Sequence, residues 1–190
     1  MGWFGRARLL AAALGCALGL LCAPLAAVAD GSWIDQGGPN WNQAGMAVPA
    51  APPEAAEPPS DPRCAASARW VENANDQAVA NAGWHLYGWY ESGWGISAVT
   101  GLSGFDGMCR PMGFQEFIFV DGVFAGTISP VPMDSRADGS GWVISIGPNE
   151  VTAQFNRYTP DDALCCPSAE STVHYTIDRD GGAPVLARTP

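Results

Sequence analysis

The sequence predicts an α+β domain, one N-terminal helix packed on an antiparallel sheet of about five to seven strands and tied by disulfides. Three observations predict it. Three pairs of β-forming runs each flank a turn dipeptide or tripeptide. One Ala/Val-containing stretch opens on a proline and stops at a glycine. Four cysteines remain after an N-terminal export leader is set aside.

The leader comes first. Arg6 and Arg8 precede an apolar run from Leu9 to Ala29, which closes on the small-x-small triplet Ala27-Val28-Ala29. Residues 1–29 therefore read as a secretory signal peptide cut between Ala29 and Asp30. The run is long enough to stand as a permanent anchor, but it is Ala/Gly-rich and holds Pro24. Lipidation is the other alternative. In "ALGC", ending at Cys16, Ala13 and Leu14 stand where a leucine and a small residue are wanted. Cleavage after Ala29 removes Cys16 and Cys22 together, which keeps the remaining cysteines even in number and favours soluble export.

Residues 30–63, with "PNWNQAGMAVPAAPPEAAEPPSDP", are rich in Pro, Ala and Glu and show no apolar period. They read as an extended, disordered tether, and the folded domain is expected over 64–190. "DPRCAASARWVENANDQAVANAG" reads as one helix, capped by Ser60 or Asp61, with Pro62 in the first turn, Ala68, Val71, Ala78 and Val79 on one face, and Gly83 as the stop. "WHLYGWYESGWGISAVTGLSGFDGMC" is dense in aromatics and glycine. Three hairpins follow. "FQEFIFV" and "VFAGTIS" flank Asp121-Gly122, a type I′ signature. "WVISIG" and "EVTAQFNRY" flank Pro148-Asn149. "STVHYTIDR" and "APVLA" flank a "DGG" turn, and Val173, Tyr175 and Ile177 alternate with His174, Thr176 and Asp178, which assigns the first set to the core.

The cysteines of the exported part are Cys64, Cys109, Cys165 and Cys166. Neighbouring Cα atoms stand closer than a disulfide usually requires. With the adjacent bond set aside, Cys165 and Cys166 each reach one of Cys64 and Cys109. Both connectivities of that knot stay open.

Charge and motifs bound the function. From Asp30 onward, nineteen acidic residues against seven arginines leave a net charge of −12, and the chain has no lysine. Such a chain repels phosphate backbones and anionic lipid surfaces, so nucleic acid is not expected as a partner. Zinc spacings, H-E-x-x-H and nucleophile elbows are absent, and no metal or cofactor is expected. "DSRADGSG" reads as a turn, since Arg136 and Ser145 stand where a calcium loop needs ligands. The segment suited to binding is "WHLYGWYESGWG". Trp84, His85, Tyr87, Trp89, Tyr90, Glu91 and Trp94 form a candidate surface for a sugar ring or an apolar partner. The competing account packs the same aromatics between helix and sheet.

"GFDGMCRPMGFQEFIFVDGVFAGTISPVPMDSR" and "RYTPDDALCCPSAESTVHYTID" together resemble the LppP/LprE family of bacterial exported lipoproteins. The resemblance covers about Cys64 to Ile177. It implies export to the cell envelope and a small mixed domain. It implies no established catalytic activity and no defined ligand. The expectation is thus a non-enzymatic binding or structural module of the envelope, with an unknown envelope component or glycan as partner. The alternatives are a secreted hydrolase acting on wall glycan or peptide, which requires His85 or His174 in a cleft beside a serine or carboxylate, and a lipid-anchored protein held at Cys16.

Overall fold

The computed structural model describes residues 32–53 and 62–189. The leader, its cleavage site at Ala27, Ala29 and Asp30, Cys16 and Cys22, and the caps Ser60 and Asp61 lie outside them. No helix among the described residues is long and apolar enough to cross a membrane.

The hairpins form as the turn chemistry dictates. Strands β5 (Gln115–Val120) and β6 (Val123–Thr127) are joined by Asp121 and Gly122, both at positive φ. β7 (Gly141–Ile146) pairs with β8 (Glu150–Arg157), which pairs with β9 (Ala169–Asp178), which pairs with β10 (Val185–Arg188), all antiparallel. In β9 the side chains of Val173, Tyr175 and Ile177 are buried and those of His174, Thr176 and Asp178 are exposed, as the alternation requires. The aromatic stretch supplies another hairpin, β1 (His85–Gly93) and β2 (Ile96–Leu102), turning at Trp94-Gly95.

These strands do not make one sheet with a helix on it. They make two four-stranded sheets, in the orders β1-β2-β5-β6 and β10-β9-β8-β7. A two-stranded ribbon of β3 (Gly104–Phe105) and β4 (Pro111–Met112) adds to them. The reason is that β5 is buried over its whole length, so the first sheet needs cover on both faces. One face, with Ile96, Ala98, Ile118 and Val120, shares a core with Val151, Phe155, Tyr175 and Leu186 of the second sheet. The other face, with Val99, Phe117 and Phe119, is covered by Val79 and Trp84.

The helix is shorter than its sequence pattern suggested. A 3-10 turn covers Ala65–Ser67, Ala68 bridges to Tyr87, and helix α1 runs Ala74–Asn81. Its cap is Asn73, whose side chain accepts from the amides of Asn75 and Asp76. The chain stays non-helical before it because Arg69 grips the fully buried Asp76 through both carboxylate oxygens, at 2.7 and 2.6 Å.

Two further expectations are overturned. Residues 32–53 are not a free tether but part of the same compact unit as the sheets. Ile34 is buried, and Trp33 packs edge-on against Phe155 at 5.0 Å. The buried Asn42 donates to the carbonyls of Thr127 and Leu186, both at 3.0 Å, and accepts from the Thr127 amide at 2.9 Å. It thereby stitches β6 of one sheet to β10 of the other. A tether reading looked for apolar periodicity, whereas this strap is held by side-chain bonds to backbone.

The cysteine knot is also absent. Cys64 is bonded to Cys109, with Cα atoms 5.1 Å apart, and this bond fastens the 3-10 turn to the β3–β4 ribbon. That leaves neither to reach Cys165 or Cys166, whose sulfurs face each other in the exposed turn between β8 and β9. The Cα atoms of this adjacent pair are 3.8 Å apart. The core shared between the two sheets holds them together without the knot.

Candidate functional site

Where Asn42 closes one edge of the sandwich, the opposite edge stays open. There a cleft of about 330 Å³ lies between β1, β2 and β5 of the first sheet and β7 and β8 of the second. Its shape begins with a break in β1. Tyr87 pairs with Thr100 and Glu91 pairs with Ala98, so Gly88, Trp89 and Tyr90 face only Val99 across the ladder. The two surplus residues bulge outward. Gly88 makes this affordable, since its φ of +68° lies in the left-handed region. The bulge leaves Trp89 88 % exposed at the mouth of the cleft. Tyr87 lines the cleft beside it and packs edge-on against Phe105 at 5.9 Å. Trp142 and Phe114 line it from β7 and from the residue preceding β5.

The floor holds Glu116. It sits opposite Thr100 in the β2–β5 ladder, on the face turned to the second sheet. Thr100 donates to Oε1 at 3.3 Å, and the amide of Val143 on β7 donates to Oε2 at 2.7 Å. The residue is only 7 % exposed. Burial, opposed by the Val143 bond and reinforced by the nearby charge of Glu91, pushes its carboxyl up to about 7. Glu91 itself lines the cleft from the exposed side of the bulge. The lining thus joins two carboxylates to four aromatic rings, and among the described residues no arginine or histidine contributes to it.

The predicted surface is partly assembled. Tyr87, Trp89 and Glu91 come together in the cleft. Trp84 does not join them. It is buried under the helix, 5.0 Å edge-on from Phe117, and its Nε1 donates to the Pro49 carbonyl at 2.7 Å. Tyr90 also faces the helix side, with the Arg69 guanidinium 5.8 Å from its ring centre. Trp94 is exposed in the β1–β2 turn, and His85 is exposed at the start of β1. Neither lines the cleft. His174 sits on the outer face of β9 beside Thr152, at 3.2 Å. The histidine-based hydrolase requirement is therefore not met in this cleft. Among the described residues no group of His, Cys, Asp and Glu is arranged to hold a metal. Asp162 does what a turn carboxylate does, accepting from the amides of Thr159 and Ser168 and from the Ser168 hydroxyl.

Sequence reasoning missed Glu116 and Trp142. The available signal for the first was a lone acid inside "FQEFIFV", a run that is apolar but for Gln115 beside it and that had to be buried.

This two-sheet domain contains the region that compares with known proteins. Residues 90–180 match the family model of the LppP/LprE lipoprotein. The match runs from the end of the bulge through β9 and takes in Glu91, Glu116, Trp142 and the Cys165–Cys166 turn. An LppP/LprE assignment points to an envelope lipoprotein and carries no biochemical role. No curated protein and no solved structure matches the chain.

Proposed function

We propose that the protein is an exported binding module of the cell envelope, and that it holds a small ligand in the cleft between its two sheets. The observation that carries this reading is Glu116. A strand that is otherwise sealed into two cores keeps one carboxylate and aims it at a cleft walled by aromatic rings. Buried carboxylates are costly, so a structural position would be filled more stably by an apolar residue. Mostly apolar clefts with a few convergent polar groups are the usual form of small-molecule sites. The LppP/LprE match supports the compartment. Solubility of the exported form, with cleavage before Asp30, follows from the unfavourable residues ahead of Cys16 and belongs to the same proposal.

The test is retention. Purified protein incubated with a size-filtered envelope extract, then washed and denatured, should release a compound identified by mass spectrometry. Trp89→Ala, at the exposed mouth, should lose it while keeping its fold. Equal retention by the wild type and Trp89→Ala, or none by either, would overturn the proposal.

A further inference from the structure

Resting on that reading of the cleft, we propose that its ligand carries an organic cation, an ammonium group on a small apolar frame, held between Glu116 and Glu91 against the aromatic walls. Three observations on the site converge. Among the described residues its only ionisable lining groups besides Tyr87 are the two glutamates, and no cationic side chain shares it. An anionic ligand would meet two carboxylates and no counter-charge, whereas a cation meets its complement.

The second observation is the state of Glu116. A carboxylate offers about four acceptor sites. One bond from Thr100 and one from the Val143 amide leave part of that capacity unused. The groups acting on it are its own burial, Val143, Glu91 and Thr100, and none of them is a cation. A bound ammonium supplies the missing partner in a low-dielectric place, where ion pairing is strong if hydrogen-bonded. The third observation is the wall. Tyr87, Trp89 and Trp142 are the ring types that attract cations best, and they border the same space. A neutral sugar would use the rings as well, but it would leave Glu116 without a counter-charge.

Occupancy carries a signature. Glu116 in the free protein holds a proton over part of the time near neutral pH, and a cation beside it favours the ionised form. Binding at pH 7 therefore releases a fraction of a proton.

The test is calorimetric titration of the full exported chain with choline at pH 7, in two buffers of different ionisation heat. A neutral isostere, 3,3-dimethylbutan-1-ol, and N-acetylglucosamine are run alongside. Choline should bind, release a fraction of a proton, and exceed the neutral isostere by at least tenfold. Glu116→Gln should weaken choline by at least tenfold, and Glu91→Gln by a smaller factor. The glutamine retains an acceptor for the Val143 amide; should that variant fail to fold, proton release by the wild type and the loss in Glu91→Gln decide the question. Equal binding of choline and its isostere, or no proton release and no effect of Glu91→Gln, would overturn the cation. N-acetylglucosamine bound in place of choline, and lost in Trp89→Ala, would also overturn it and leave the binding module standing. No binding by any of the three, together with no retained envelope compound, would remove both.

Discussion

Replacing Glu116 by glutamine separates what the fold needs from what the cleft needs. In the free protein its carboxyl is displaced from an ordinary 4.5 to about 7, chiefly by burial. The native state then holds a proton that the unfolded chain has already released between those values. The stabilising contribution is complete below about pH 4.5 and is lost as pH rises through about 7. A displacement of this size corresponds to about 3 kcal/mol over the full passage. Asp106 and Asp138 act in a different window. For both, burial works against ionisation but is outweighed by bonds, for Asp106 from Arg110 and Met108 and for Asp138 from Tyr158 and Arg157. Their carboxyls lie below the usual range, so their contribution is present at neutral pH and fails only in stronger acid. Urea unfolding at pH 5, 6, 7 and 8 therefore isolates Glu116. Wild-type protein should lose stability toward pH 8, and Glu116→Gln should flatten the profile and exceed the wild type at pH 8 by up to about 3 kcal/mol. A wild-type midpoint constant from pH 5 to 8, or the same decline in Glu116→Gln, would refute the reasoning.

The remaining predictions concern the frame. A non-reducing peptide map should recover the Cys64 peptide joined to the Cys109 peptide; a link from either to Cys165 or Cys166 would contradict the fold. Replacing Cys64 and Cys109 together by alanine opens a bond spanning 45 residues, and equilibrium unfolding should show a loss of up to roughly 4 kcal/mol from chain entropy. Asn42→Ala removes three side-chain bonds to buried backbone groups of Thr127 in β6 and Leu186 in β10 and should cost about 2–4 kcal/mol by the same measurement; a loss under a tenth of that would return the segment to tether status. Gly126→Ala should destabilise comparably, because a Cβ there meets the Asn42 side chain at 2.2 Å and φ is +145°.

What the sequence disclosed depended on whether a single element carried its own signal. Asp121-Gly122 dictated a turn, and the alternation of Val173, Tyr175 and Ile177 dictated a face; both are local and both appear as expected. The second sheet was hidden because Phe117 to Val120 put apolar side chains on both faces, so the strand declares burial without declaring what covers it. The strap at residues 32–53 was hidden because asparagine-to-backbone bonds leave no periodic trace. The helix start was misplaced because the Arg69–Asp76 grip joins residues seven apart, a tertiary effect that overrides an alanine-rich pattern. In the cleft, Tyr87, Trp89 and Glu91 were legible as an aromatic-acid cluster. Trp84 was not separable from them, since neighbours on a strand point to opposite faces and the bulge at Gly88 shifts that alternation.

Because β5 has oily side chains above and below, sliding it by one residue would exchange the contents of two hydrophobic rooms at little penalty in polarity. What fixes its alignment is its two buried polar passengers, Glu116, bonded to Thr100 and Val143, and Gln115, bonded to Ser129 and Val131. A slipped Glu116 would enter the compartment of Phe117, Phe119 and Val79, far from its donors. The acid in the cleft thus also serves as a ratchet tooth that keeps the central strand in phase with its neighbours.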